Sequence, residues 1–166
     1  MPIVQELCAY ADAPTTPSAV ARVSAARLAV SIARVLDDRY PRTVLRLANV
    51  DALRALADAL RAAGSPIRSL STIGAADSLL LQCPLAEESA RVDLSAARTL
   101  MALRLCPEAT ERLAKALSIF TSLGMSRQVA ECRQLQRQLI RLAPGRPSWA
   151  RALLAAHVRC RITSLV

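Results

Sequence analysis

Apolar residues recur along this chain at the three- and four-residue steps of a helix, and the runs end at proline, glycine or polar clusters. Residues 3–10 fit a short helix, and Ala11 to Pro17 reads as a linker carrying Pro14 and Pro17. Residues 1–15 are therefore expected to be a flexible N-terminal segment, and 16–166 a single helical domain. Thr16-Pro17 is a good helix start, because proline at the first helical position loses no hydrogen bond. That helix should run to about Asp38 and stop before Pro41, with Leu28, Ile32, Val35 and Leu36 gathered on one face. Asp51 is placed as the cap of a helix through Ala63, with Leu53, Leu56 and Leu60 as its core stripe and Gly64-Ser65-Pro66 as its stop. From Ile67 to Pro84 the pattern is ambiguous. Ile73, Gly74, Leu79, Leu80 and Leu81 fit a short strand or a buried helical turn. Helical spacing resumes near Leu85 and runs to about Cys106, where Pro107 interrupts it. Glu87 and Glu88 in its first turn suit the helix dipole.

The last third has the clearest periodicity. Leu113, Leu117, Phe120 and Leu123 keep helical spacing up to Gly124, and Ser126 is placed as the cap of the next helix. Val129, Cys132, Leu135, Leu139 and Leu142 form the inner face of that helix. Pro144-Gly145-Arg146-Pro147 breaks the chain, and Ser148 caps a final helix with the stripe Trp149, Leu153, Ala156 and Cys160. Short loops between these helices predict antiparallel neighbours. The fold class that follows is all-α, a helical bundle or a short array of antiparallel helix hairpins. Composition agrees: aromatics are 2% of the chain and glycines number four, too few for the turns of a sandwich or barrel.

Residues 109–142 resemble tetratricopeptide-type helical repeats. Ala116-Leu117-x-Ile119-Phe120-x-x-Leu123-Gly124 is similar to the second helix and loop of such a repeat. Val129-Ala130-Glu131 through Leu135 and Leu139 is similar to the first helix of the next. No self-similarity at the family's 34-residue period recurs in residues 1–108. The resemblance implies a helical surface for protein partners. A fainter likeness to one leucine-rich repeat, Leu45-Arg46-Leu47-x-Asn49 leading to Leu60, has no next copy.

Charge sharpens the picture at the C-terminal end. The formal net charge is +9, and residues 127–166 carry eight arginines against the single acid Glu131. Residues 109–166 thus read as a repeat-like, basic helical part. On the helix from Arg127, steps of four place Arg133, Arg137 and Arg141 in one row opposite the apolar set, with no acid four residues away to neutralise them. These three, with Arg151, are the candidate partner-binding residues. Lys115 is the only lysine, so part of the basic balance also fits a GC-rich genome in which Arg replaces Lys throughout.

Reactive chemistry is sparse. The five cysteines, at 8, 83, 106, 132 and 160, include no CxxC pair, which favours a reducing compartment over a disulfide scaffold. His157 and Cys160 could share a helix face, but a structural zinc site wants four ligands, and no paired spacing supplies the others. The pairs Asp37-Asp38 and Glu87-Glu88 are adjacent rather than on one face, and the four glycines are isolated, without a phosphate loop. The N-terminus shows no secretory signal, and no apolar run approaches a bilayer span, so the expected address is cytoplasmic. The expectation is a non-enzymatic interaction module, adaptor or chaperone-like, without cofactor or metal. Its partner is another protein with an acidic surface, and self-association is expected from the 53% hydrophobic content. The alternative is a nucleic-acid-binding protein using the C-terminal arginine cluster, against which stands the lack of aromatics for stacking bases.

Overall fold

The computed structural model describes residues 2–12, 18–39, 43–83 and 85–142. Within them lie seven α-helices and no strand: α1 (Pro2–Asp12), α2 (Ala19–Arg39), α3 (Thr43–Ala62), α4 (Pro66–Gln82), α5 (Ala86–Ala102), α6 (Cys106–Ser122) and α7 (Ser126–Leu142). Each helix packs on the next in sequence. In addition α1 packs on α3, α3 on α5 and, more sparingly, α5 on α7. Odd-numbered helices thus form one layer, and α2, α4 and α6 lie against it as a second.

From α4 onward the array is regular. Helices of 17 residues begin at Pro66, Ala86, Cys106 and Ser126, joined by three-residue loops. At the α3–α4, α5–α6 and α6–α7 junctions the cause lies in the loops. Ser65, Leu105 and Met125 each donate a backbone N–H five residues back, to the carbonyls of Leu60, Leu100 and Phe120, all at 2.9 Å. The residues before them, Gly64, Arg104 and Gly124, donate three back and take φ of 76°, 60° and 68°. This is the Schellman stop, which satisfies the orphan carbonyls of a helix end. The carbonyls of Ser65, Leu105 and Met125 then accept the first bonds of the following helices, from Ser69, Ala109 and Val129. One residue closes one helix and opens the next.

Several sequence expectations change here. The short helix expected over residues 3–10 is present as α1, and it is docked, burying Val4, Cys8 and Ala11 against α2 and α3. Asp51 is no cap, because α3 already begins at Thr43; its carboxylate instead meets Arg54 at 3.3 Å within the helix. The same helix contains Leu45 to Asn49, where a leucine-rich repeat needs a strand. The ambiguous stretch after Ile67 is helix α4. Pro107 does not interrupt a helix but sits in the first turn of α6, after α5 has ended at Ala102. Helix α7 is opened by Met125, one residue before the expected cap Ser126.

On α2 the buried side is Val23, Ala26, Ala29 and Ala33, whereas Leu28 and Val35 of the expected apolar face are 53% and 60% exposed. Alanines line most of the packed side of α2, with Val30, Ile32 and Leu36 half-buried and Val20, Leu28 and Val35 outside. In the second half the core is larger-grained. Leu94, Leu100, Met101, Leu105, Leu113 and Phe120 form one cluster with Cys132 and Leu139 of α7. A buried hydroxyl pair, Ser69 and Thr99 at 3.0 Å, ties α4 to α5.

Candidate functional site

On α3, α5 and α6, ion pairs engage Arg46, Arg54, Arg61, Arg91, Arg98 and Arg112, whereas Arg27 and Arg34 of α2 and Arg68 of α4 are exposed with no ion pair among the described residues. Arg112 of α6 forks onto Asp77 of α4 (Nη2–Oδ2 2.7 Å) and reaches Asp93 of α5 (Nη1–Oδ1 2.6 Å), stitching three helices. Burial alone would lower the pKa of Arg112, but hydrogen bonds and charge from Asp77 and Asp93 outweigh it and hold the guanidinium above its usual range. Asp93 is pushed up, first by its burial and only partly offset by Arg112. Arg98 of α5 bonds Glu131 of α7. Arg46 faces Asp37, Arg61 faces Asp58, and Arg91 takes Glu87 and Glu88. Glu88 is raised by desolvation and by the nearby charge of Asp51, and its Oε2 is buried without a hydrogen-bond partner.

On helix α7 the exposed arginines stand in a row. Cys132 and Leu139 are buried, with Val129, Leu135 and Leu142 half-buried against α5 and α6, as the spacing predicts. Arg133, Arg137 and Arg141 are all exposed on the other side, and no ion pair engages them among the described residues. Beside them Ile140 is 75% exposed. Sequence patterning thus located this row. The fourth candidate, Arg151, lies outside the described residues, as do His157, Cys160 and the expected final helix.

A second surface was not legible from the chain. Arg27 of α2, Leu56 and Leu60 of α3, and Ile67, Arg68, Ser71 and Thr72 of α4 line an open cleft of about 260 Å³. It exists because α2 and α4 both lie on α3 without packing closely on each other, a relation between layers that periodicity does not encode.

The described residues hold no cluster of three or more potential metal ligands. Cys8, Cys83, Cys106 and Cys132 are in no disulfide, and burial pushes the Cys132 thiol up, away from the reactive thiolate. No described helix is long and apolar enough to cross a membrane. No family model, curated protein or solved structure matches the chain.

Proposed function

We propose that this protein is a non-enzymatic helical interaction module, an adaptor or chaperone-like protein of the cytoplasm, that docks a partner with an acidic surface through the end face of α7. The observation that carries the reading is the contrast in how arginine is used. In α3 to α6, arginines such as Arg54, Arg91 and Arg112 are spent on ion pairs within the array. Arg133, Arg137 and Arg141 stand in a row, exposed and unpaired. A general replacement of Lys by Arg explains neither the row nor its isolation. Guanidinium groups at helical steps of four fork onto successive carboxylates. The hairpins here advance by forty residues, from α4 to α6 and from α5 to α7, against 34 in tetratricopeptide units. The resemblance of residues 109–142 therefore contributes only the kind of surface, a helical docking face. Exposed Val20, Leu28, Val35 and Leu81 add apolar area on the second layer, where self-association is the expected consequence.

The test is charge reversal of all three row arginines to Glu. A partner isolated with the wild-type chain should lose binding to the triple variant, while helicity and melting temperature stay nearly unchanged. Equal binding by the variant refutes the docking role. Guanidinium groups also fork onto phosphates, so the same variant should be titrated with duplex and single-stranded oligonucleotides. Salt-sensitive binding of nucleic acid, lost in the variant, would replace the protein partner with the nucleic-acid reading.

A further inference from the structure

Two of the unpaired arginines of the first half line the cleft over α3. Arg27 comes from α2 and Arg68 from α4, and with them stand the apolar Leu56, Leu60 and Ile67. Both arginines are exposed, and no ion pair engages either among the described residues. The next gap in the same layer is closed differently. There Arg112 of α6 takes Asp77 of α4, a cation against an anion. The α4 residue forty before Arg112 is Thr72, an uncharged lining residue of the cleft.

The acids of α2, α3 and α4 are engaged elsewhere. Asp37 faces Arg46, Asp51 and Asp58 take Arg54 and Arg61, and Asp77 takes Arg112. Asp38 stands eleven residues beyond Arg27 on α2, about 16 Å along the helix. Every Asp and Glu of the chain lies within α1 to α7, so the remaining segments bring no side-chain carboxylate to the cleft. Two guanidinium groups beside an apolar surface, without a carboxylate of their own, suit an anion joined to an aliphatic group.

The outer side of α2 extends this chemistry. Leu28, next to Arg27, is 53% exposed. Two helical turns on, Arg34 and Val35 repeat the pair within about 20° of the same direction. Arg34 is exposed without an ion pair among the described residues, and Val35 is 60% exposed. Pockets that enclose a small ligand hold about 300–1,000 Å³. This cleft is open and holds about 260 Å³, and the repeated pair lies beyond it. We propose that the cleft and the adjoining side of α2 take an acidic amphipathic helix of a partner protein. Its aliphatic residues sit on Leu28, Val35 and the cleft, and its carboxylates meet Arg27, Arg34 and Arg68. A second copy of this chain is poorly matched. Among the described side chains its exposed acids, Glu6, Asp38 and Glu111, lie on three different helices. The inference goes beyond the docking role of α7 and does not depend on it.

The probes are two fluorescein-labelled peptides with an Ala-Gln background. One carries Leu-Glu pairs at the same seven-residue step, the other Glu-Leu pairs. Anisotropy of at least one should rise with the wild-type chain and fall again with added salt. Arg27→Glu or Arg68→Glu should weaken that binding about tenfold or more, with helicity and melting temperature nearly unchanged. The triple variant of the α7 row should bind the peptide as the wild type does. Hydrogen exchange on the wild type needs no variant, and peptide should slow it in α2 and the first half of α4. No binding of either peptide overturns the proposal, as does binding that Arg27→Glu and Arg68→Glu both leave intact. Hexyl phosphate bound without either peptide, and lost in Arg27→Glu, overturns it in favour of a small amphiphile. A wild-type dimer that Arg68→Glu dissociates, again without peptide binding, overturns it in favour of a second copy. Failure here leaves the α7 row to its own test, because that row is intact in both cleft variants.

Discussion

Where α1, α2 and α3 meet, the buried surface is mostly alanine: Ala26, Ala29, Ala33, Ala52 and Ala55 are each 0% exposed, with Val4, Cys8 and Val23 among them. Where α5, α6 and α7 meet, the buried alanines Ala90, Ala97, Ala109 and Ala116 are joined by Leu94, Leu100, Leu105, Leu113, Leu139, Met101 and Phe120. Both regions bring helices together, but by different means. Alanine permits close approach and costs no side-chain entropy, yet each residue removes little apolar area from water. A buried Leu or Phe contributes about 1.5–3 kcal/mol by transfer alone. Inter-helix ion pairs follow the same division. Arg112 bridges α4, α5 and α6, and Arg98 reaches α7, whereas between α2 and α3 Arg46 and Asp37 stand 3.7 Å apart. The second half should therefore be the stable body of the array, and the first hairpin the part that opens first in amide exchange.

The sharpest test is Phe120→Ala. Fully buried in the second-half cluster, it should cost about 3–5 kcal/mol in urea unfolding. Val23→Ala in the first region should cost only about 1 kcal/mol. Equal losses would erase the distinction between the two regions. Next comes Arg112→Ala, which strands the buried carboxylate of Asp93. Breaking a buried pair costs about 3–5 kcal/mol, and the partial exposure of Arg112 and Asp77 lowers this to about 2–4. The sign with pH follows from Asp93, whose folded pKa is already raised by burial and must rise further without Arg112. The native state then holds this proton more tightly than the unfolded state does. The penalty is full above the folded pKa and shrinks as pH falls through it. A penalty constant from neutral to acid pH would show that Asp93 is not its source.

Ala29→Leu should destabilise by about 1–3 kcal/mol by overpacking the close approach of α2, although it adds hydrophobicity. Leu28→Ala, one residue away and half-exposed, should change stability by less than about 0.5 kcal/mol. The reverse order would mean that α2 is rotated about its axis. The smallest effect is expected at Glu88, where α5 meets α3. Its carboxylate is desolvated and faces Asp51, so Glu88→Gln should raise the melting temperature slightly at neutral pH. That advantage should fade in acid, because the wild-type carboxyl, with its raised folded pKa, gains stability as it protonates. A lower melting temperature at neutral pH would show that the ion pair with Arg91 outweighs the desolvation.

How legible each region was depends on the size of its buried residues. The inner faces of α6 and α7 were readable because Leu113, Phe120, Cys132 and Leu139 repeat at helical steps and are the residues buried. On α2 the same reasoning chose Leu28, Ile32, Val35 and Leu36, of which Leu28 and Val35 are exposed and Ile32 and Leu36 only half-buried. A pattern of large apolar residues marks a core only where the packing distance is set by large residues. Helix α4 was ambiguous because Ile73, Gly74, Leu79, Leu80 and Leu81 fit a short strand as well as a buried helical turn; the structure places them in a helix that packs on Val50, Ala57 and Val92. Arg104 at φ 60° was not predictable from its residue type, since an L side chain there costs about 1–2 kcal/mol. Its loop accepts that strain while closing the same hydrogen bonds as Gly64 and Gly124.

What the sequence determined by itself was local: the helical class, the stops at Gly64 and Gly124, the inner face of α7 and, opposite it, the row Arg133, Arg137 and Arg141. Each follows from backbone preference or from the 3.6-residue turn, which act between residues close in the chain. Tertiary structure alone decided which side of α2 is buried, that Arg112 joins Asp77 and Asp93, and that α2 and α4 leave a cleft over α3. Those features depend on the distance and rotation between helices. These are set by the summed fit of many side chains far apart in sequence, and no single stretch of the chain carries them.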